Sequence, residues 1–216
     1  MKKRTLKNLF VAFVLLTLFV VWTILVSFVS VQPIGPKGTS VGFSSLNKAF
    51  HSFTGTNMLL YIVTDWLSLI PALVILGFGA LGLFQWIKRK SILKVDFSIL
   101  VLGGFYIAVF AAYAFFEIAV VNYRPVLING VLEASYPSST TMLVLCTLST
   151  AIMQLNSRIK KVLLRRILSL GIKAFIGFMV LARLFSGVHW ISDIVGGVLL
   201  GAGLVMLYYT IVEGEK

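Results

Sequence analysis

The chain has 216 residues, 59% of them hydrophobic and only 12% charged, with 19 Lys and Arg against 7 Asp and Glu and a formal net charge of +12. With a mean hydropathy of +1.00, this composition excludes a soluble domain and describes an integral membrane protein. The basic excess does not point to nucleic acid. Most of it lies in three clusters, 2–7, 88–94 and 158–173, which flank apolar runs as cytoplasmic loops do under the positive-inside rule.

In chain order, the first apolar run, 9–31, carries no charge and is long enough to span. It exceeds the apolar core of a usual signal peptide, and no small-residue cleavage site closes it, so it reads as a retained signal-anchor. Residues 32–57 form a polar external loop in which 45–53 can lie as an interfacial helix, with Leu46, Ala49, Phe50 and Phe53 on one face. His51, in that helix, reads as a surface histidine. The second span, 58–87, has Asp65 near its outer end and Pro71 inside, where a kink is expected. The third lies between Asp96 and Glu117, and residues 122–139 follow as a second external loop.

The fourth span, 140–155, descends to the most basic loop. The fifth, 167–183, is interrupted by Lys173, whose stem can snorkel to the surface. The sixth, 194–212, carries Gly196, Gly197, Gly201 and Gly203. Its one GxxxG, Gly197 to Gly201, suits close helix packing and by itself says little for a homodimer. The sequence thus predicts an all-α, polytopic six-helix bundle forming a single membrane domain over 1–216, with both termini cytoplasmic. The lone Cys146 forms no internal disulfide.

Six spans bring Arg124, Arg183 and His189 to the same outer side. Within Ala182-Arg183-Leu184-Phe185-Ser186-Gly187-Val188-His189-Trp190-Ile191-Ser192-Asp193, the histidine and the aspartate are four apart, the spacing of one helix face. A carboxylate so placed fixes an imidazole's tautomer and prepares it as nucleophile or base. The planar fork of Arg183 suits phosphate or carboxylate. The plainer alternative is a helix end with an interfacial histidine and a capping aspartate. Ionisable groups at membrane depth are rare and usually functional.

Three segments, Glu117-x6-Arg124-Pro125, Pro137-Ser138-Ser139-Thr140 and Ala182-Arg183-x5-His189-x3-Asp193, resemble in order and spacing the three motifs of the type 2 phosphatidic acid phosphatase family, membrane lipid phosphatases whose motifs read K-x6-R-P, P-S-G-H and S-R-x5-H-x3-D. The resemblance implies a phosphohistidine mechanism: His189 attacks phosphorus, Asp193 orients it, and Arg124, Arg183 and Ser138 hold phosphate oxygens. Ser138 and Ser139 precede the fourth span and Thr140 begins it, and free N–H groups at such a helix start can also face an anion. Two departures bear on activity. Glu117 stands where the family has lysine, and Thr140 where it has the histidine that protonates the leaving group.

Threonine is no general acid near neutral pH, and losing such a group costs about 10²–10⁴-fold. A phosphate leaving from a pyrophosphate needs that proton far less than an alkoxide does. The expected substrate is therefore a lipid phosphate or, preferentially, a pyrophosphate such as undecaprenyl pyrophosphate, hydrolysed at the outer face. Glu117 either replaces the missing acid, with its pKa raised by partial burial, or pairs with Arg124 or Arg183. A remote third candidate for the acid is His51. The competing reading is a catalytically silent member that binds lipid phosphates as a sensor or partner subunit. A small transporter is disfavoured by the lack of paired repeats. The sequence shows no metal-ligand spacing, no nucleotide fingerprint and no call for a cofactor.

Overall fold

The computed structural model describes residues 3–215, and among these the regular structure is helical. Six long rods form the body: α1 (Lys3–Phe28), a broken rod made of α3 (Met58–Leu67) and α4 (Leu69–Arg89), α5 (Phe97–Ile118), α6 (Ser139–Arg158), α7 (Val162–Phe185) and α8 (Ile191–Gly214). A short helix, α2 (Ser44–Thr54), crosses one end between the first two rods. Five of the six rods are long and apolar enough to cross a membrane. The chain is a multi-pass membrane protein.

The exception, α6, is rich in Ser and Thr. It sits inside the bundle, against α4, α5, α7 and α8, so that Thr147, Thr150 and Gln154 are buried in protein and face no lipid. Two of its hydroxyls turn back to their own helix, Thr147 to the Leu143 carbonyl at 2.6 Å and Thr150 to that of Cys146 at 2.7 Å. These bonds satisfy groups that would be costly to leave unpaired away from water.

The second rod breaks at Ser68. Pro71 has no N–H to give the Leu67 carbonyl four residues earlier, and its ring crowds that carbonyl. The expected kink is thus a discontinuity one turn before the proline.

Helix α8 packs along α1 on one side and α6 on the other. Burial of apolar surface drives little helix association in lipid, where close van der Waals packing of small residues does the work. A Cβ added to Gly197 would stand 2.8 Å from the Ser138 carbonyl, one at Gly201 would stand 3.0 Å from Leu145, and one at Gly203 would stand 2.7 Å from Leu16. The GxxxG pair of α8 is therefore used inside the chain, against α6.

The interfacial helix falls where expected, but its orientation is informative. Its apolar residues Leu46 and Phe53 are exposed, while the polar Ser44 and Asn47 are buried beneath it. Asn47 donates to Ser192 Oγ at 2.9 Å and accepts from the Ser192 N–H at 3.2 Å, tying α2 to the first turn of α8.

Candidate active site

Two loops and two helix ends converge at the α2 end of the bundle. Helix α7 ends at Phe185, and Ser186 and Gly187 turn the chain toward α8. Gly187 has φ +66°, and a Cβ there would lie 1.8 Å from the Gly55 carbonyl. Only glycine allows this turn to pass so close to the loop after α2. The Asn57 N–H donates to the Ser186 carbonyl at 2.8 Å and closes the same junction.

His189 then lies two residues before α8, outside the helix that the four-residue spacing suggested. Asp193 is the third residue of α8 and accepts from the Trp190 N–H at 3.0 Å. It thus caps the helix, as the plainer reading of that spacing has it, and it also faces the histidine. Asn122 donates to its other oxygen at 3.0 Å, and Ser192 Oγ approaches that oxygen at 3.4 Å. Asp193 is fully buried, and its Oδ2 is 3.8 Å from His189 Nδ1.

On the far side of the ring, Arg124 Nη1 meets His189 Nε2 at 2.9 Å. A guanidinium only donates, so Nε2 is the accepting nitrogen and the ring proton belongs on Nδ1, toward Asp193. Burial, and then the charges of Arg124 and Arg183, hold the imidazole well below its ordinary pKa of 6.5, against a smaller opposing effect of the Ser135 backbone. His189 is therefore neutral at neutral pH, with a lone pair on Nε2.

Arg183, in the last turn of α7, is buried. Its Nη1 donates to Thr64 Oγ1 at 3.1 Å, its Nη2 stands 3.6 Å from Asp65, and its Nε is buried without a partner. Its guanidinium lies 4.7 Å from the Tyr61 ring centre, and that of Arg124 lies 5.9 Å from the same ring. One aromatic ring is thus shared by two cations. Two arginines beside a neutral imidazole supply what phosphoryl transfer needs, namely charge stabilisation and position.

The structure therefore brings together Arg124, Arg183, His189 and Asp193. Ser138 joins them through its backbone, its N–H donating to the Asp193 carbonyl at 3.0 Å. That amide is consequently engaged, and the Ser138 hydroxyl donates to Thr141 at 3.0 Å. Thr140 is buried in the first turn of α6, and the half-buried Ser139 lines a small crevice with Tyr113, Glu117, Ser135 and Tyr136. Glu117 is exposed and interacts with Tyr113. It is not paired with either arginine, because the carboxylate on Arg124 is Glu133, at 2.9 Å, and the one facing Arg183 is Asp65.

His51 is half-buried, edge-on to Trp190 with ring centres 5.5 Å apart, and is no plain surface histidine. Residues that motif spacing did not bring to the site are Asn122, Glu133 and the trio Tyr61, Thr64 and Asp65, of which Asp65 was placed only near the outer end of its span. The trio had a signal: polar side chains at i, i+3 and i+4 put one wet face on an otherwise apolar helix.

Fold and site together define a polytopic membrane protein with a buried histidine–arginine centre at one end of its helices. The family model for the PAP2 superfamily matches residues 120–216, the part that carries Arg124, Ser138, Arg183, His189 and Asp193. Over that stretch the chain is similar to that superfamily. It is similar in structure to the first transmembrane PAP2-type phosphatidylglycerolphosphate phosphatase from Bacillus subtilis, with a TM-score of 0.63 and 17% identity over 95% of this chain and 97% of that one. No curated protein sequence matches it.

Proposed function

We propose that this protein is a membrane lipid phosphatase that removes phosphate from a lipid phosphate or pyrophosphate through a phosphohistidine on His189. The observation that carries this reading is the contact of Arg124 with His189 Nε2, which, on a ring that burial already keeps neutral, leaves the lone pair on the nitrogen turned away from Asp193. In the first step Nε2 bonds to phosphorus and the bond from phosphorus to the leaving oxygen breaks. Water then hydrolyses the P–N bond. Arg124 and the unpartnered Nε of Arg183 stabilise the equatorial oxygens.

With Thr140 in the first turn of α6 and Glu117 exposed beside Tyr113, no strong acid has been identified next to the leaving oxygen. A lipid monophosphate leaves as a stable anion without one, which favours pyrophosphate lipids such as undecaprenyl pyrophosphate. The three basic clusters support cytoplasmic termini, and with them an active site at the outer leaflet.

The test is phosphate release in detergent from undecaprenyl pyrophosphate and from phosphatidylglycerolphosphate, side by side, with His189→Ala as control. The expected result is faster release from the pyrophosphate, abolished in the variant. Equal or faster turnover of the monophosphate refutes the leaving-group argument. Phosphate binding with no release above the variant from either lipid replaces the enzyme with a lipid-phosphate-binding protein.

A further inference from the structure

We infer that Glu133 is a positioning residue that competes with the substrate's phosphate for Arg124 and so sets the affinity of the site. The inference rests on the phosphate-site reading above.

Residues 123–134 form a hairpin-like excursion whose tip is Asn129-Gly130, with φ of +51° and +77°. Both residues take the positive φ that a two-residue hairpin turn requires, and Ile128 and Val131 exchange backbone hydrogen bonds across it at 2.9 and 3.1 Å. Further down, the Arg124 N–H donates to the Glu133 carbonyl at 3.0 Å, which sets the two residues opposite each other. Their side chains then meet, Arg124 Nε to Glu133 Oε2 at 2.9 Å. Glu133 is thus fixed beside Arg124 by backbone register and is held by more than its side chain.

The guanidinium is engaged through Nε and Nη1 in this state. Its Nε edge serves Glu133, while Nη1 serves His189 Nε2 at 2.9 Å and the Val188 carbonyl at 3.5 Å. Phosphorus must approach Nε2 along the lone pair that Nη1 now occupies. In-line attack requires Arg124 to swing off the histidine, and a guanidinium anchored at its Nε edge to a carboxylate resists that swing. A carboxylate is also the group that most closely imitates a phosphate edge toward arginine.

Arg183 is the contrast. Asp65 stands 3.6 Å away with a side chain 59% exposed, and the buried Nε has no partner. The Nε of one arginine is without a partner and that of the other is held by a carboxylate. Phosphate exchanges with Glu133 on Arg124. The Glu133 side chain is 40% exposed, so once displaced it turns to water.

The experiment compares wild type with Glu133→Gln, which keeps shape and hydrogen bonding but removes the charge. Vanadate binding and steady-state kinetics are measured on the detergent-purified protein, and melting temperature confirms folding. The expected result is vanadate binding about tenfold tighter and a KM lower by a similar factor, with kcat little changed, because the lost contact is one the free enzyme makes and the substrate complex does not. Glu133→Asp, which keeps the charge, should return KM toward wild type. Vanadate binding in Glu133→Gln that is unchanged or weaker overturns the inference while leaving the phosphate site intact. If neither protein binds vanadate, the phosphate-site reading itself fails and this inference with it.

Discussion

Replacing Asn122 by leucine removes one hydrogen-bond donor from the buried Asp193 carboxyl group without opening a large cavity. The bond lost is the 3.0 Å contact from Asn122 Nδ2 to Oδ1. That oxygen keeps the longer approach from Ser192 Oγ at 3.4 Å, Oδ2 keeps the Trp190 N–H at 3.0 Å, and the Ser135 side chain also bonds the carboxyl group. Hydrogen bonds to a charged group contribute about 1.5–3 kcal/mol, and Ser192 can recover part of this, so the net loss is about 2 kcal/mol. If the whole of it appears as a misdirected carboxyl group, kcat/KM falls by roughly thirtyfold at about 1.4 kcal/mol per decade. If it appears instead as lost stability, the melting temperature drops by about 4–8 °C for a chain of this size. Phosphate release and thermal unfolding in detergent, measured on the same preparation, read the two shares. A variant within about twofold of wild type in kcat/KM and unchanged in melting temperature refutes the view that Asn122 holds Asp193 against His189.

Two further outcomes follow from the same geometry. His189 has its folded pKa depressed well below 6.5 by burial and the two arginines, so as pH falls the unfolded chain takes up this proton first. Its contribution to stability is complete above pH 6.5 and is lost progressively below it. The acid limb of kcat/KM accordingly lies below pH 6.5, and the acid-side fall in melting temperature should shrink in His189→Gln; an acid limb at or above 6.5 contradicts the assignment. Gly187→Ala forces a Cβ to within 1.8 Å of the Gly55 carbonyl at φ +66°. The left-handed backbone alone costs about 1–2 kcal/mol, and an ångström-scale shift of His189 costs about a hundredfold in kcat, so wild-type turnover in this variant would contradict the account of the loop.

Much of the fold was legible because membrane spans announce themselves by length and charge, and the bounds of α2 came within a residue. The fourth span was also recognised, though it is too polar to cross by composition alone, since Thr147, Thr150 and Gln154 are polar only toward the bundle interior. Arg124, Arg183, His189 and Asp193 were legible from motif spacing, and the structure brings those four together.

Glu133 was not legible. The Ile128-Asn129-Gly130-Val131 turn signals a hairpin, yet counting back from it would set Arg124 opposite Ser135. Pro125 has no N–H for the ladder, and the arm that carries it holds two extra residues before Arg124 meets Glu133. Asn47 was hidden for a different reason. The apolar stripe of α2 was read correctly, but which face a helix turns toward protein is set by its neighbours, and here the polar face docks on Ser192.

The interior position of α6 also bears on how the chain enters the bilayer. A rod whose buried polar side chains are covered by α4, α5, α7 and α8 gains little from lipid alone. Two of those partners, α7 and α8, are synthesised after it. The contacts that cover Thr147, Thr150 and Gln154 can therefore be completed only after α7 and α8 have been made, and the loop that carries His189 is made between those two helices.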